Sequence, residues 1–256
     1  MADGTESIEE NDSPLIEFDH VNFKYDGASE DSLDDISFSL YKGQSLGIIG
    51  GTGSGKSTIA SLVPRYYDVT GGEIRICGKN IKDYKLSELR RFIVSVPQKA
   101  AVVSGTVAEN IRMGKPDATD EEVINALKTA QAWEFVSKLP GGINAPVQQF
   151  GRNFSGGQKQ RLTIARALVS KPAVLILDDS TSALDMQTDY LLRKAISEDL
   201  KDTSVIMISQ RATSLKNSDI IIVMEDGRCE GSGTNDELEN SSSVYREIID
   251  IQKEGE

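Results

Sequence analysis

The chain has 256 residues, of which 38% are hydrophobic, and it carries a formal net charge of -12 at pH 7. This length and apolar content suit one large domain or two small ones with a buried core, and they exclude a fibrous or disordered protein. The acidic balance argues against a nucleic-acid-binding protein, whose affinity usually depends on clustered Lys and Arg.

The N-terminal part of the chain begins with a polar segment and continues with strands. Residues 1–13 are acidic and almost free of apolar side chains, which predicts a disordered lead-in or linker. Near-alternate apolar positions follow and predict strands at Ile16, Phe18, Val21, Phe23 and Tyr25, and again at 36–40. The short apolar run at 45–49, which ends in glycine, predicts a buried strand, and 73–78 predicts another.

Helical patterns enter the second half of the chain. Thr119 and Glu122 fit a capping box, and the spacing over 119–139 predicts a helix whose apolar face carries Val123, Ala126, Leu127, Ala130 and Trp133. Apolar runs predict buried strands at 173–177, 205–209 and 220–224, with a hairpin turn at Asp226-Gly227. The last residues, 241–256, predict an exposed helix or tail. Apolar strands alternating with helices indicate an α/β fold with a mainly parallel sheet.

The segment GGTGSGKST at 50–58 contains the pattern G-x-x-x-x-G-K-S. It follows a predicted strand and precedes a helical stretch, which is the context that a phosphate-binding P-loop requires. Glycines let backbone N–H groups turn inward around an anion, so Lys56 is predicted to reach the β and γ phosphates and Ser57 to ligate Mg²⁺. A glycine-rich surface turn is the alternative. The nucleotide-binding residues predicted here are Gly50, Gly51, Thr52, Gly53, Ser54, Gly55, Lys56, Ser57 and Thr58.

The apolar run at 173–177 ends in two acids, Asp178 and Asp179. We predict that Asp178 holds Mg²⁺ and that Asp179 lies where an attacking water would be positioned. Solvated carboxylates at a strand end are common in α/β folds and are the alternative interpretation. The upstream P-loop favours the functional one.

A second exposed helix N-terminus is predicted in FSGGQKQR, which begins at Phe154. Ser155 and Gln158 fit a capping box with Gly156 and Gly157 between them, and such a terminus can bind an anion. Because the P-loop already accounts for this chain's own nucleotide, we predict that this helix receives the γ-phosphate of an ATP held by a partner subunit.

The segment FSGGQ closely resembles the signature motif of ABC transporters, whose usual form begins with Leu. Taken in order with the P-loop, Gln98, the Asp178 strand and SALD (182–185), the resemblance covers residues 15 to about 240. The stretch at 96–111 is more similar to exporters than to importers. The resemblance implies a P-loop NTPase fold with a RecA-like core and an antiparallel β subdomain. It places the ATPase domain at 14–240, with a helical subdomain inserted over about 100–165.

The same resemblance implies roles for individual residues. Tyr25 matches an aromatic that stacks on adenine, although an ordinary core or hairpin aromatic is the alternative. Gln98 matches a loop residue that ligates Mg²⁺ and senses the transmembrane domain; a polar loop residue is the alternative. Asp185 ends a loop that crosses between two subunits. The implied cofactors are ATP and Mg²⁺, the implied partners are a second nucleotide-binding domain and a transmembrane domain, and the implied location is the cytoplasmic face of the membrane.

Two hydrolytic positions depart from the family pattern. Active members have Glu where this chain has Asp179, and the shorter side chain withdraws the carboxylate by roughly 1.5 Å. Misplacement of order 1 Å can cost about 10²-fold in rate. Gln210 occupies a switch position where the family usually has His; Gln can hydrogen-bond the γ-phosphate but cannot shuttle protons. The single histidine, His20, lies before the P-loop.

A weaker departure lies before the signature motif, where Gln149 and Phe150 replace a Glu-Arg pair usual in exporters. It predicts altered communication between subunits. Intact nucleotide-binding motifs with altered hydrolytic residues resemble one half of a heterodimeric exporter, and we hypothesise that its non-identical partner completes a working site. A non-hydrolysing regulatory module and a soluble ABC ATPase of DNA repair or translation are the alternatives. A small-molecule kinase would not explain FSGGQ.

The cysteines and the apolar runs of the sequence indicate no further functional site. Cys77 and Cys229 have no CxxC or His partner spacing, so neither a metal site nor a disulfide framework is indicated. No apolar run approaches the roughly 18 residues that span a bilayer. Exporter subunits usually carry membrane helices ahead of this domain, so the sequence predicts an excised domain.

Overall fold

The computed structural model describes residues 2–254. The strands are β1 (Ile16–Phe23), β2 (Leu33–Leu40), β3 (Ser45–Gly50), β4 (Gly71–Ile76), β5 (Lys79–Asn80), β6 (Ile93–Val96), β7 (Gly105–Thr106), β8 (Pro146–Val147), β9 (Val174–Asp178), β10 (Ser204–Ile208), β11 (Ile220–Glu225) and β12 (Arg228–Gly233). The α-helices are α1 (Lys56–Leu62), α2 (Leu86–Phe92), α3 (Val107–Arg112), α4 (Asp120–Thr129), α5 (Trp133–Val136), α6 (Gly156–Leu168), α7 (Met186–Asp199), α8 (Ala212–Leu215), α9 (Asn235–Ser241) and α10 (Ser243–Glu254). Short 3₁₀ helices lie at Ile81–Asp83, Gly142–Asn144 and Gln149–Gly151.

The described chain divides into two compact units. The first combines the residues up to Val94 with those from Ser204 onward, and the second is Ser95–Thr203. The second unit contains the segment 100–165 predicted as a helical subdomain and continues through β9 and α7. No helix among residues 2–254 combines the length and apolar character that crossing a bilayer requires.

A mainly parallel sheet forms the centre of the first unit. Its strands follow the order β12-β11-β3-β10, and β3 pairs in parallel with both β10 and β11. The strands read as continuous apolar runs because they are buried, as Ile48 and Ile222 show at 0% and 1% exposure. Between β11 and β12, Asp226 and Gly227 both have positive φ, as a tight hairpin turn requires, which confirms the predicted turn.

An antiparallel sheet of order β2-β1-β4-β5 completes the first unit, as predicted. The apolar positions of β1 show a three-residue step between Phe18 and Val21. The pairing register shifts there, and His20 within the step has φ 49°. The step is therefore a β-bulge, which returns the following apolar side chains to the buried face.

The polar lead-in contacts this sheet region through its main chain. The N–H groups of Thr5 and Glu6 both donate to the Asp83 carbonyl at 2.9 Å, and Glu6 forms a bridge with Tyr84. A Cβ atom at Gly4 would lie 2.2 Å from the Asp83 carbonyl oxygen, so the close approach requires glycine. The sequence predicts disorder here because main-chain pairing leaves no trace in hydrophobic periodicity. Met1 lies outside the described residues.

The helix predicted over 119–139 is shorter in the structure. Its start is confirmed, since Thr119 and Glu122 form the reciprocal capping box of α4. Its predicted length is wrong, because α4 ends at Thr129 and Gln131 adopts φ 57°, a left-handed conformation that interrupts an α-helix. Trp133 begins the separate helix α5, so periodicity alone overlooked the break.

The C-terminal helix α10 packs one face against the first unit. The sequence predicts an exposed helix at 241–256; a helix forms, yet Tyr245 is fully buried and its hydroxyl group donates to Asn235 Oδ1 at 2.9 Å. Val244, Ile248 and Ile249 pack against an apolar cluster that includes Tyr245. The amphipathic spacing of these side chains accounts for the burial. Residues 255–256 lie outside the described chain.

Candidate nucleotide-binding site

The predicted P-loop lies between the end of β3 at Gly50 and the start of α1 at Lys56. Gly55 caps α1 in the left-handed conformation with φ 97°. A Cβ atom at Gly50 would lie 2.1 Å from the Met224 carbonyl oxygen, so the loop requires glycine at both of its ends. The strand–loop–helix context that the sequence predicts is confirmed.

The Lys56 ammonium group lies at the centre of this loop. Lys56 is only 8% exposed, and Nζ donates to the Gly50 carbonyl at 2.9 Å, to Ser54 Oγ at 3.1 Å and to the Gly51 carbonyl. A buried charge requires such hydrogen-bond partners. The loop therefore holds a positive charge in a fixed place at the N-terminal end of a helix, which attracts an anion.

Two glycines of the loop border open space. A Cβ atom built on Gly51 or Gly53 would meet no atom within 4 Å. The backbone is thus open to close approach at two positions of the loop, and one of them, Gly51, contacts the Lys56 ammonium group through its carbonyl. This arrangement fits a phosphate chain held by main-chain N–H groups.

Tyr25 lies beside helix α1. Its hydroxyl oxygen is 3.3 Å from Thr58 Oγ1, a residue of the P-loop segment. The half-buried ring meets Phe23 edge-on at 4.7 Å and Tyr67 edge-on at 5.3 Å between centroids. Tyr25 is therefore part of an aromatic cluster and also a neighbour of the P-loop. Sequence reasoning missed Tyr67, and the only sequence signal for it is the adjacent pair Tyr66-Tyr67 shortly after the P-loop segment. The structure adds that Tyr67 is 46% exposed.

Gln210 follows β10 in the first unit. The Ser209 N–H group donates to the Ile48 carbonyl at 3.2 Å, so the chain leaves the sheet beside β3, the strand that leads into the P-loop. Gln210 is exposed, and its main-chain carbonyl accepts a hydrogen bond from Gln252 Nε2 at 2.6 Å. Gln210, the predicted switch residue, thus lies at the sheet edge from which the P-loop segment also emerges.

In the second unit, the carboxylate of Asp179 meets the side chain of Gln98. Gln98 Nε2 donates to Asp179 Oδ2 at 2.7 Å, although 81 positions separate the two residues. Asp178 is the last residue of β9, and Asp179 follows it with φ 45°. The Ser182 hydroxyl and N–H groups donate to the Asp179 carbonyl at 2.8 Å and 3.3 Å. The predicted catalytic residues Gln98 and Asp179 are therefore in direct contact.

The capping box predicted at the start of α6 is confirmed. The Gln158 N–H group donates to Ser155 Oγ at 3.2 Å, and the Ser155 N–H group donates to Gln158 Oε1 at 2.9 Å. Ser155 and Gly156 are exposed. The chain at 182–185 packs against this terminus, because a Cβ atom at Gly157 would lie 3.2 Å from the Ala183 carbonyl oxygen.

Asp185 caps helix α7. Its carboxylate accepts from the Thr188 N–H group at 2.9 Å and from the Thr188 hydroxyl at 2.7 Å. These hydrogen bonds, the main-chain one above all, hold the pKa of the Asp185 carboxyl group below its usual range. Asp185 is therefore an ionised cap at the end of the 182–185 loop.

Of the two residues at the third departure, Phe150 shows an unusual environment. It is 69% exposed and adopts φ 57° within the short helix Gln149–Gly151. A large exposed aromatic in a left-handed conformation is uncommon.

Residues 33–182 match the family model described as ABC transporter. The chain belongs to the ABC transporter family. It is 41% identical to a putative multidrug export ATP-binding/permease protein of Bacillus subtilis (strain 168), over 93% of this chain and 41% of that protein. It is 42% identical, over the same shares, to a protein of that description from Staphylococcus aureus (strain NCTC 8325 / PS 47). The chain thus spans about two fifths of the length of these curated relatives.

A solved structure supports the assignment. The chain superposes on a bacterial Atm1-family ABC exporter with ATP bound, with a TM-score of 0.91, 34% identity, and coverage of 96% of this chain and 43% of that one. The predicted P-loop NTPase fold is confirmed, and the chain is an ATP-binding domain of the ABC type.

Within each unit of this ABC transporter domain, the structure groups most of the residues singled out from sequence. The first unit holds Tyr25, the P-loop and Gln210. The second holds Gln98, Asp178, Asp179, the 155–158 segment and Asp185. The contact between Gln98 and Asp179 could not be predicted from the sequence, because no local pattern joins a loop residue to a strand end 81 positions away.

Proposed function

We propose that this chain is the nucleotide-binding domain of an ABC exporter and that it binds ATP and hydrolyses it slowly to power export across a membrane. The observation that carries the proposal is the buried Lys56 ammonium group fixed at the centre of an open glycine loop. The printed descriptions of the relatives, which name multidrug export and permease function, support the transport role. The domain would work at the cytoplasmic face of the membrane, where ATP is available.

Each predicted metal ligand offers an oxygen donor of the kind that Mg²⁺ prefers. These are the hydroxyl group of Ser57, the side-chain amide of Gln98 and the carboxylate of Asp178. When bound, Mg²⁺ would neutralise charge on the phosphates. The residues of the P-loop segment, with Lys56 foremost, would bind and orient the triphosphate.

Hydrolysis forms a bond from a water oxygen to the γ-phosphorus and breaks the bond to the ADP oxygen. We assign Asp179 to orient that water and accept its proton, with Gln98 holding the carboxylate by the 2.7 Å hydrogen bond. Gln210 would donate a hydrogen bond to the γ-phosphate without exchanging a proton. A short carboxylate and an amide in place of an imidazole both predict slow turnover.

The exposed terminus of α6 is proposed to complete a site on a partner. Ser155, Gly156, Gly157 and Gln158 would meet the γ-phosphate of an ATP held by a second, non-identical nucleotide-binding domain, with the 182–185 loop and Asp185 beside them. The Gln98 loop would contact the transmembrane domain. Exposure of Ser155 and Gly156 at a capped helix start supports this role.

A mixing experiment tests whether sites are shared between two domains. The parent chain would carry Asp179→Glu and Gln210→His to make turnover measurable. In a pair of two such copies, each of the two sites would combine the P-loop of one copy with the α6 terminus of the other. One variant adds Lys56→Ala and the other adds Ser155→Asp, so a pair of either variant alone has both sites damaged. In the mixed pair, one site combines an intact P-loop with an intact α6 terminus, and phosphate release is expected to recover. No recovery at concentrations where the parent is active would contradict shared sites.

The two altered hydrolytic residues also favour a second candidate, a regulatory module that binds ATP without turning it over. Phosphate release over time separates the two functions. A regulatory module releases at most one phosphate per chain, whereas an ATPase continues at a steady rate with excess Mg-ATP.

Tyr25→Ala is expected to weaken ATP binding by about 5- to 150-fold, the range that a base–aromatic stack of roughly 1–3 kcal/mol implies. Tyr25→Phe keeps the ring and loses only the contact with Thr58, so its affinity should stay close to that of the unchanged chain. Calorimetry with Mg-ATP and with inorganic triphosphate makes the comparison. Equal losses for both ligands would mean that Tyr25 does not contact the base.

Ser155→Asp should separate the structural role of this cap from its role toward the partner's nucleotide. Asp caps helices about as well as Ser, so the free energy of unfolding should change by less than about 0.5 kcal/mol, whereas Ser155→Ala should lose about 1 kcal/mol. The added negative charge should nevertheless repel a phosphate and suppress turnover. Urea unfolding and phosphate release measure the two effects, and normal turnover in Ser155→Asp would contradict the assigned role.

A further inference from the structure

The side chain of Gln252 holds the main chain on both sides of Arg211. Its Nε2 donates to the Gln210 carbonyl at 2.6 Å, and its Oε1 accepts from the Ala212 N–H group at 3.0 Å. One amide thus uses its donor and its acceptor on the same loop, 42 positions away from the Gln210 carbonyl. Such a two-point contact fixes orientation as well as distance.

Helix α10, which carries Gln252, is anchored to the fold. Tyr245 is fully buried, and Ile248 and Ile249 pack against the same apolar cluster. That cluster includes Ala212 and Leu215 of α8. Helix α8 starts directly after residues 209–211, which we call the switch loop because they contain the predicted switch residue. The Gln252 amide is therefore held on a packed helix whose apolar face already contacts the segment beyond Gln210.

The switch loop itself is exposed and short of side-chain packing. Gln210 and Arg211 are both exposed between β10 and α8. On the strand side, the Ser209 hydroxyl accepts a hydrogen bond from the Arg211 N–H group at 3.0 Å. The Ser209 N–H group in turn donates to the Ile48 carbonyl of β3. On the helix side, the contacts to Gln252 define the direction of the main chain.

We propose that Gln252 is a positioning residue for the switch residue at 210, so that the C-terminal helix sets the geometry of the ATP site. The inference rests on the proposed role of Gln210. Both hydrogen bonds reach main-chain atoms, so the contact does not depend on the side chain at 210. It should therefore position the imidazole introduced by Gln210→His as well as the natural glutamine side chain.

The first measurement tests the contact without using activity. Gln252→Leu keeps the approximate size of the side chain and removes both hydrogen bonds. Hydrogen exchange at the Ala212 amide should become about tenfold faster, since that N–H loses its acceptor. Glu247→Leu, an exposed position on the same helix, is the matched control and should leave the exchange unchanged.

The second measurement tests the effect on chemistry. In the Asp179→Glu/Gln210→His chain, adding Gln252→Leu should lower kcat about fivefold or more and leave KM for ATP within about twofold. A purely structural role would instead change the unfolding midpoint and leave this split absent. Gln252→Glu keeps an acceptor for Ala212 but places a carboxylate against the Gln210 carbonyl, so it should restore exchange protection at Ala212 without restoring kcat.

The outcomes are distinguishable. Unchanged exchange at Ala212 in Gln252→Leu overturns the contact, and accelerated exchange with unchanged kcat overturns the positioning role. If the Asp179→Glu/Gln210→His chain has no steady turnover, the proposed ATPase function fails. In that case, the rate of burst phosphate release in Gln252→Leu still decides the positioning role, because a displaced residue 210 should slow that single turnover and an unchanged burst rate would overturn the role.

Discussion

Combining Asp179→Glu with Gln210→His is expected to raise steady ATP turnover of this chain by about 10²-fold or more. Glu moves the carboxylate outward by one C–C bond, about 1.5 Å, into the place where a water would be oriented. A correction of that size can change a rate by about 10²-fold, which corresponds to roughly 2.7 kcal/mol of barrier. His at 210 adds an imidazole that can exchange a proton near neutral pH.

The Asp179→Glu change is expected to lower the stability of the folded chain. Asp179 adopts φ 45°, a left-handed conformation that Asp tolerates better than most side chains. Glu at this position should lower the free energy of unfolding by up to about 1 kcal/mol. The Gln98 hydrogen bond must also lengthen or shift to accommodate the longer side chain. The faster variant is therefore expected to be the less stable one.

Phosphate release at saturating Mg-ATP measures the turnover, and urea unfolding measures the stability. Asp202→Glu makes the identical chemical change at an exposed turn and should alter neither quantity. Single variants at 179 and 210 show which change contributes more. If the unmodified chain hydrolyses ATP as fast as the double variant, the impaired-site hypothesis is wrong.

Lys56→Ala is expected to weaken Mg-ATP binding by at least about 10²-fold. The Lys56 ammonium group is already placed at the loop centre by the Gly50 carbonyl and Ser54 Oγ, so little ordering is needed when phosphate binds. Hydrogen bonds to charged groups contribute about 1.5–3 kcal/mol each, and contacts to two phosphates together exceed the roughly 2.7 kcal/mol that 10²-fold requires. Calorimetry and the rise in melting temperature with Mg-ATP both report the loss.

A structural side effect has to be separated from lost binding. Removing Lys56 leaves the loop carbonyls that it contacts without that donor, so the melting temperature of the ligand-free chain should fall slightly. Lys42→Ala, which removes an exposed lysine paired with Glu10, is the control for loss of one charge. Identical Mg-ATP uptake by Lys56→Ala and the unmodified chain would refute the phosphate-loop assignment.

Much of this protein is determined by local sequence. The P-loop and the capping boxes at Thr119 and Ser155 depend on residue types three to five positions apart, and the structure shows all three elements. The buried strands follow from apolar runs, because a strand covered on both faces tolerates few polar side chains. The departures at Asp179 and Gln210 are also read directly from the chain.

Only the tertiary structure showed the helix break at Gln131 and the contacts between segments distant in sequence. The sequence predicted one helix over 119–139, yet Gln131 takes a left-handed conformation and the helix breaks there. It assigned Gln98 and Asp179 separately, whereas folding joins them by a hydrogen bond, and it left the C-terminal helix exposed, whereas packing places Gln252 on the switch loop. Local patterns record neighbours within about one helical turn, and contacts between distant segments arise only when the packed core brings those segments together.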